Sequence, residues 1–239
     1  MGADLYSGVA GTGKSYHVAQ VIYEKLRNGI NIISNVDIDI TKIPPKGNKP
    51  LGQYIFVSNK QWLSNSIRQY KKDYRGNLTP ILEPCTDKFS SIQGLKGFAL
   101  NFHKRDSKGH IILHQTIMIF DECHKIWESR SWNRIDRLAW IDFLTQFRKW
   151  GYDCILVSQS ENMIDKQIRA SVIEHKIIHR NVSRFKKLGK ILALPFGGNL
   201  FACVETDYTM SSKSAAKIRS YFIFGSNKYF DIYDTTQIF

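Results

Sequence analysis

Nowhere in the chain do about 18 apolar residues run without interruption, so no transmembrane helix lies within it. Cysteine is sparse. Cys85, Cys123, Cys154 and Cys203 are widely spaced and none forms a C-x-x-C pair, which argues against a metal site. Cys123 and Cys154 fall in or beside predicted core strands and read as buried thiols of a reducing compartment. The N-terminus shows no signal-peptide pattern, and Tyr6 stands where a myristoylation signal wants Ser or Thr. There is no low-complexity tract and no internal repeat. Acidic residues are also scarce: 21 Asp plus Glu stand against 34 Lys plus Arg, a net charge of +13. That balance points to an anionic partner, whether nucleic acid, an acidic membrane face or a nucleotide.

Apolar residues are not scarce. They make up 43% of 239 residues, with 13% aromatic, enough for a core and too many for disorder. The length suits one large domain, or one domain with an appendage.

The most informative stretch is Gly8-Val9-Ala10-Gly11-Thr12-Gly13-Lys14-Ser15, which fits the phosphate-binding pattern G-x-x-x-x-G-K-[ST]. Glycines let successive backbone N–H groups curl towards phosphate oxygens. Residues Gly8 to Tyr16 are therefore assigned to ATP. Lys14 would reach the β- and γ-phosphates, and the Ser15 hydroxyl would hold Mg²⁺. Leu5-Tyr6 reads as the preceding strand, and Tyr16 to Arg27 as a helix whose positive end faces the anion. The plainer alternative is a glycine-rich turn that caps a helix.

Strand signals recur at Ile30–Val36, Tyr54–Val57, Ile111–Phe120, Cys154–Val157 and Ile173–Val182. Helical periods fit Asn59 to about Lys72, Ile164–Ala170 and Arg134–Trp150. In the last, Ile135, Leu138, Ile141, Leu144 and Phe147 lie along one stripe. Residues 73–109 carry Pro, Gly and basic residues without periodicity, and read as a basic insertion across one face of the core. Strand–helix alternation through residue 182 predicts an α/β, mostly parallel sheet with helices on both faces. Residues 1–182 form this core. Residues 183–239 read as a β-rich extension of the same domain, with strands at Ile191–Leu194, Leu200–Glu205 and Tyr221–Phe224.

A P-loop needs a second carboxylate for the metal, supplied from the end of a neighbouring buried strand. Ile117-Met118-Ile119-Phe120-Asp121-Glu122 has that form. Asp121 would hold Mg²⁺ through water, and Glu122 would act as the general base. Two acids capping a strand are the plainer reading. Gln159 follows the next apolar strand and is placed to bond the γ-phosphate or its water, or else backbone. Arg169 could reach a neighbouring subunit's γ-phosphate or lie on the surface. Arg130, Arg134 and Arg137 are weaker candidates. Trp62, Trp127, Trp132, Trp140 and Trp150 stand among cations, a pattern that can stack single-stranded bases. At helical spacing, though, such residues are more often core.

Together these residues resemble the zonular occludens toxin (Zot)-like domain, the family of filamentous-phage assembly ATPases. The resemblance runs through Gly8–Tyr16, Ile119-Phe120-Asp121-Glu122-Cys123-His124, Phe147–Ser160, Ile164–Arg169 and Phe230–Thr235. The Arg148-x-x-Gly151-x-Asp153 segment, leading through its strand to Gln159 and on to Asp165-Lys166-Gln167-Ile168-Arg169, is its more specific part. It implies a P-loop motor of the additional-strand class, acting as a homo-oligomeric ring at the cytoplasmic face of the host inner membrane. The implied partners are phage coat and assembly proteins and single-stranded DNA. Membrane association would run through a segment missing from this chain.

Three other readings compete. Asp121-Glu122-Cys123-His124 is a D-E-x-H box, as in helicases, but little chain remains after Val182 for a second ATP-gripping domain. A nucleotide-dependent scaffold would bind ATP without doing work. A small-molecule kinase would need an acceptor pocket, for which the sequence shows no signal.

Overall fold

The computed structural model describes residues 2–64, 69–72, 78–81, 91–130, 136–210 and 216–233. The chain opens with β1 (Ala3–Ser7), α1 (Lys14–Arg27), β2 (Asn31–Ser34), β3 (Tyr54–Phe56) and α2 (Asn59–Ser64). An antiparallel pair, β4 (Gln69–Lys72) and β5 (Leu78–Ile81), precedes α3 (Ile92–Phe102). There follow β6 (Thr116–Phe120), α4 (Arg137–Gln146), β7 (Tyr152–Ser158), α5 (Lys166–Val172) and β8 (His175–Asn181). The last part holds α6 (Lys186–Ala193), β9 (Leu200–Asp207), β10 (Lys217–Phe224) and the short α7 (Asn227–Phe230).

Among the described residues, eight strands form one sheet in the order β10-β9-β8-β1-β7-β6-β2-β3. Every pair from β8 to β3 is parallel, and β9 and β10 complete the edge antiparallel. This is the mostly parallel α/β sheet read from the sequence. One strand, β7, separates the strand that leads into the glycine turn from the strand that ends in the acids.

The inner strands bury both faces, so their sequences are continuously apolar. Successive residues still sort by the two-residue period of a strand. Met118, Phe120, Tyr152, Cys154 and Leu156 face one core, with Trp62 of α2, Leu95 and Phe98 of α3, Trp140, Phe143 and Leu144 of α4, and Ile168 of α5. Ile117, Ile119, Ile155 and Val157 face the other, beneath Val18, Ala19, Ile22 and Leu26 of α1. Trp62, Trp127, Trp140 and Phe120 meet edge to face at 4.8–5.8 Å between ring centres. These three tryptophans are core, and base stacking is closed to them. Trp132, Cys85, Arg134 and Ile135 lie outside the described residues, as do Asp234 and Thr235.

Several boundaries differ from the sequence reading. Of the helix expected from Asn59 to about Lys72, Asn59–Ser64 is helical and Gln69–Lys72 is a strand, while residues 65–68 lie outside the described ones. Ile111–Gln115 precede the strand rather than join it, because β6 begins at Thr116, where buried pairing starts. Leu138 is 71% exposed, while Trp140 and Phe143 are buried. The larger aromatic areas set the buried side of α4. Ile191–Leu194 is not a strand: it continues α6 into a 3-10 turn. Within the basic insertion, whose residues 73–77 and 82–90 lie outside the described ones, α3 is helical. It is tied to the sheet by Tyr152 Oη donating to Leu95 O (2.7 Å), and at its C-cap His103 Nε2 meets Thr116 Oγ1 (2.7 Å).

Candidate active site

β1 ends at Ser7, and the chain turns through residues 8–13 into α1 with Gly13 at its N-cap. The first bond of the helix runs from His17 N–H to Gly13 O (2.9 Å). The N–H groups of Lys14, Ser15 and Tyr16 therefore have no partner within the helix, and they carry its positive end. No acidic residue lies in that first turn. Lys14 Nζ donates to Gly8 O (2.6 Å) and Val9 O (3.1 Å), and Thr12 Oγ1 donates to Val9 O (2.8 Å). The Tyr16 side chain turns inward. Its hydroxyl donates to Phe224 O (2.9 Å) and accepts from Ser226 N–H (2.7 Å), so it joins α1 to the end of β10.

The acids stand at the same end of the sheet. In register, Ser7 of β1 is level with Ser158 of β7, and Phe120 of β6 with Leu156 of β7. Two strand spacings, about 10 Å, separate the ends of β1 and β6. Asp121 N–H donates to Asn35 Oδ1 (2.7 Å), while Asn35 Nδ2 donates to Asp121 O (2.7 Å) and Asn59 Oδ1 (2.6 Å). The amide of β2's far end thus holds the backbone of Asp121 from both sides.

Glu122 sits at φ 49° and ψ 44°, a left-handed conformation that costs a non-glycine residue about 1–3 kcal/mol. Its Oε2 is buried with no hydrogen bond; His124 Nδ1 stands 3.2 Å away without the alignment to make one. A buried carboxylate oxygen left in that state is an acceptor waiting for a proton donor.

Electrostatics join the two halves of the site. Burial lowers Lys14 from the usual lysine range, and the charges of Glu122 and Asp121 oppose that shift. Asp121 is pushed up to about 6, first by burial and then by the charge of Glu122; the Glu122 N–H bond and the charge of Lys14 pull the other way. The lysine and both carboxylates therefore share one electrostatic field.

Ser15, on the first turn of α1, is half-buried. Gln159 follows β7, between the glycine turn and the acids, and is exposed. Arg169 is not brought to this cluster: on α5 it donates to Asn162 Oδ1 (2.6 Å). Arg137 is engaged by Asp165, Nε to Oδ2 at 2.6 Å, and Arg130 is exposed.

Two neighbours of the site were missed in the sequence. Asn35 is one; a polar residue closing an apolar strand was its only signal. Arg184 is the other. A Cβ on Gly11 would stand 2.5 Å from Arg184 Nη2, so the end of that flexible side chain lies over the turn. Nothing in the sequence around Arg184 marks it, because β8 brings it there through the fold. Asn181, at the end of β8, reaches Gly11 O with Nδ2 at 3.5 Å.

Residues 86–189 match the family model described as Zonular occludens toxin (Zot), a span that holds Asp121, Glu122, Gln159 and Arg169. The chain is similar to the Zot family. The Gene 1 protein of Enterobacteria phage fd is 24% identical across 100% of this chain and 60% of its own length. That of Enterobacteria phage I2-2 is 28% identical across 52% of this chain and 35% of its own length. The chain thus spans about 60% of the first of these relatives. In three dimensions, the N-terminal domain of zonular occludens toxin from Neisseria meningitidis superposes with a TM-score of 0.50 at 13% identity, covering 98% of each chain. At that identity the likeness is one of fold.

Proposed function

We propose that this Zot-like chain is an ATPase that hydrolyses ATP at the end of the sheet shared by β1, β7 and β6. The observation that carries the reading is the grouping of Lys14, Asp121 and Glu122 in one field at the same end of the sheet, with one strand between them, beside the N–H groups of α1 that have no partner within the helix. Lys14 would exchange its two loop carbonyls for phosphate oxygens. The N–H groups of residues 8–16 would cradle the rest. Glu122 would take the proton as water attacks the γ-phosphorus, the bond to the bridging oxygen breaks, and ADP leaves. Gln159, which follows the strand between the two halves of the site, would orient that water, and Arg184 would add positive charge over the turn.

The residues present fit a magnesium ion. The Ser15 hydroxyl and the buried, charge-strained carboxylate of Asp121 are hard oxygen donors of the kind that ion takes. Bound there, it would neutralise charge on the β- and γ-phosphates.

Beyond hydrolysis, the reading is a motor in phage assembly or extrusion at the cytoplasmic face of the host inner membrane, with coat or assembly proteins and single-stranded DNA as partners. The fd and I2-2 relatives are phage proteins, which supports the phage part of that reading. Arg169, whose guanidinium bonds Asn162 within its own chain, would act on a neighbour's nucleotide in a homo-oligomeric ring. The helicase alternative fares worse, because β9 and β10 extend the same sheet instead of starting a second domain. The test is steady-state phosphate release with and without single-stranded DNA, alongside sizing with and without ATP–Mg²⁺. Hydrolysis together with a nucleotide-dependent larger species is expected. Absence of hydrolysis removes the ATPase reading, and a strict monomer removes the ring.

A further inference from the structure

α6 is built inside out. Its small residues face the protein: Gly189 and Ala193 are buried, and a Cβ on Gly189 would stand 2.1 Å from the Val182 carbonyl oxygen. Its large residues face away. Leu188 is 69% exposed, Ile191 65%, Leu192 53% and Leu194 in the following turn 76%, with Phe185 just before the helix at 47%. Residues 185, 188 and 192 fall on one side by the i, i+3, i+4 rule, with 191 beside them. A helix that served only to cover the sheet would turn these side chains inward. Lys186, Lys187 and Lys190 are exposed around the same ridge. From His175 to Val204 the sequence has no acidic residue and carries Lys176, Arg180, Arg184, Lys186, Lys187 and Lys190.

We propose that this ridge is a membrane-docking surface, and that its occupant is the face of a bilayer rich in anionic phospholipid. Leu188, Ile191, Leu192 and Leu194 would enter the boundary between headgroups and acyl chains, while the three lysines lie along the headgroup phosphates. Charge decides between occupants. A second copy meeting this face with its own would set Lys186, Lys187 and Lys190 against their counterparts. A nucleic acid would satisfy the lysines but leave four large aliphatic side chains without apolar contact. An anionic bilayer answers both. The inference does not rest on the ATPase reading, and it calls on no segment outside this chain.

The test is co-sedimentation of the whole chain with vesicles of phosphatidylglycerol and phosphatidylcholine, and with phosphatidylcholine alone. Binding to the first and not the second is expected, and it should weaken with salt. Replacing Lys186, Lys187 and Lys190 by Gln should cost roughly 100-fold, at about fivefold for each lysine. The pair Leu188→Asp and Ile191→Asp should cost at least about tenfold. Both sets change only exposed positions, so circular dichroism and ATP binding in solution should match the parent chain. Three results would overturn the proposal: no binding to anionic vesicles; binding that Leu188→Asp with Ile191→Asp leaves intact; or a change in oligomeric state, without vesicles, that tracks these substitutions.

Discussion

Asn35 and Asp121 exchange two hydrogen bonds of 2.7 Å, the side-chain amide of one closing on the backbone N–H and C=O of the other. A residue at the end of β2 thereby fixes the carboxylate-bearing turn at the end of β6.

Asn35→Ala should therefore reach both stability and activity. It strands a buried N–H and C=O, at about 1–3 kcal/mol each in unfavourable cases. Urea unfolding should show a loss of about 2 kcal/mol or more. ATP turnover in the remaining folded protein should fall more than ATP affinity, because the glycine turn proposed to hold phosphate, after β1, is untouched.

The burial of Asp121 predicts a pH dependence with a definite sign. In the folded chain this carboxyl keeps its proton up to about 6. In an unfolded chain it titrates near 4. Between those values the folded state binds more protons, so the contribution to stability is complete below about pH 4 and is lost as pH rises through about 6. Without metal or nucleotide, the parent chain should lose about 2 kcal/mol relative to Asp121→Asn between about pH 4 and pH 8, read by urea unfolding at each pH. Parallel curves for the two proteins would show that Asp121 is not the group responsible.

Arg184 lies over Gly11, where the guanidinium can meet phosphate oxygen. Arg184→Ala should weaken ATP binding by about tenfold, in line with one charge-assisted hydrogen bond, and should leave AMP binding nearly unchanged. Titration of a fluorescent analogue of each nucleotide measures both.

The parts of the proposed site that could be read in the sequence are those that lie contiguous in it. The glycine turn with Lys14, and the apolar strand ending in Asp121 and Glu122, each form a recognisable pattern within a few residues. The parallel sheet was legible for a similar reason: Thr116–Phe120 and Tyr152–Ser158 are apolar throughout because both their faces are buried. Asn35 and Arg184 were not legible, since their roles arise from strand order alone. α6 misled because Ile191-Leu192-Ala193-Leu194 is an unbroken apolar run, which periodicity alone does not assign to strand or helix. The exposure of its large residues is a surface property that composition does not show. α3 has Leu95, Phe98 and Ala99 at helical spacing, yet Gly94 before them and Gly97 among them read as breaks.

The central claim is that the glycine turn and the acidic pair act on one triphosphate, with Glu122 as the base. Phosphate release and ATP affinity, measured side by side for the parent chain and Glu122→Gln, test it most directly. The account predicts retained ATP binding with turnover reduced roughly 10²–10⁴-fold. Turnover equal to that of the parent chain would contradict it.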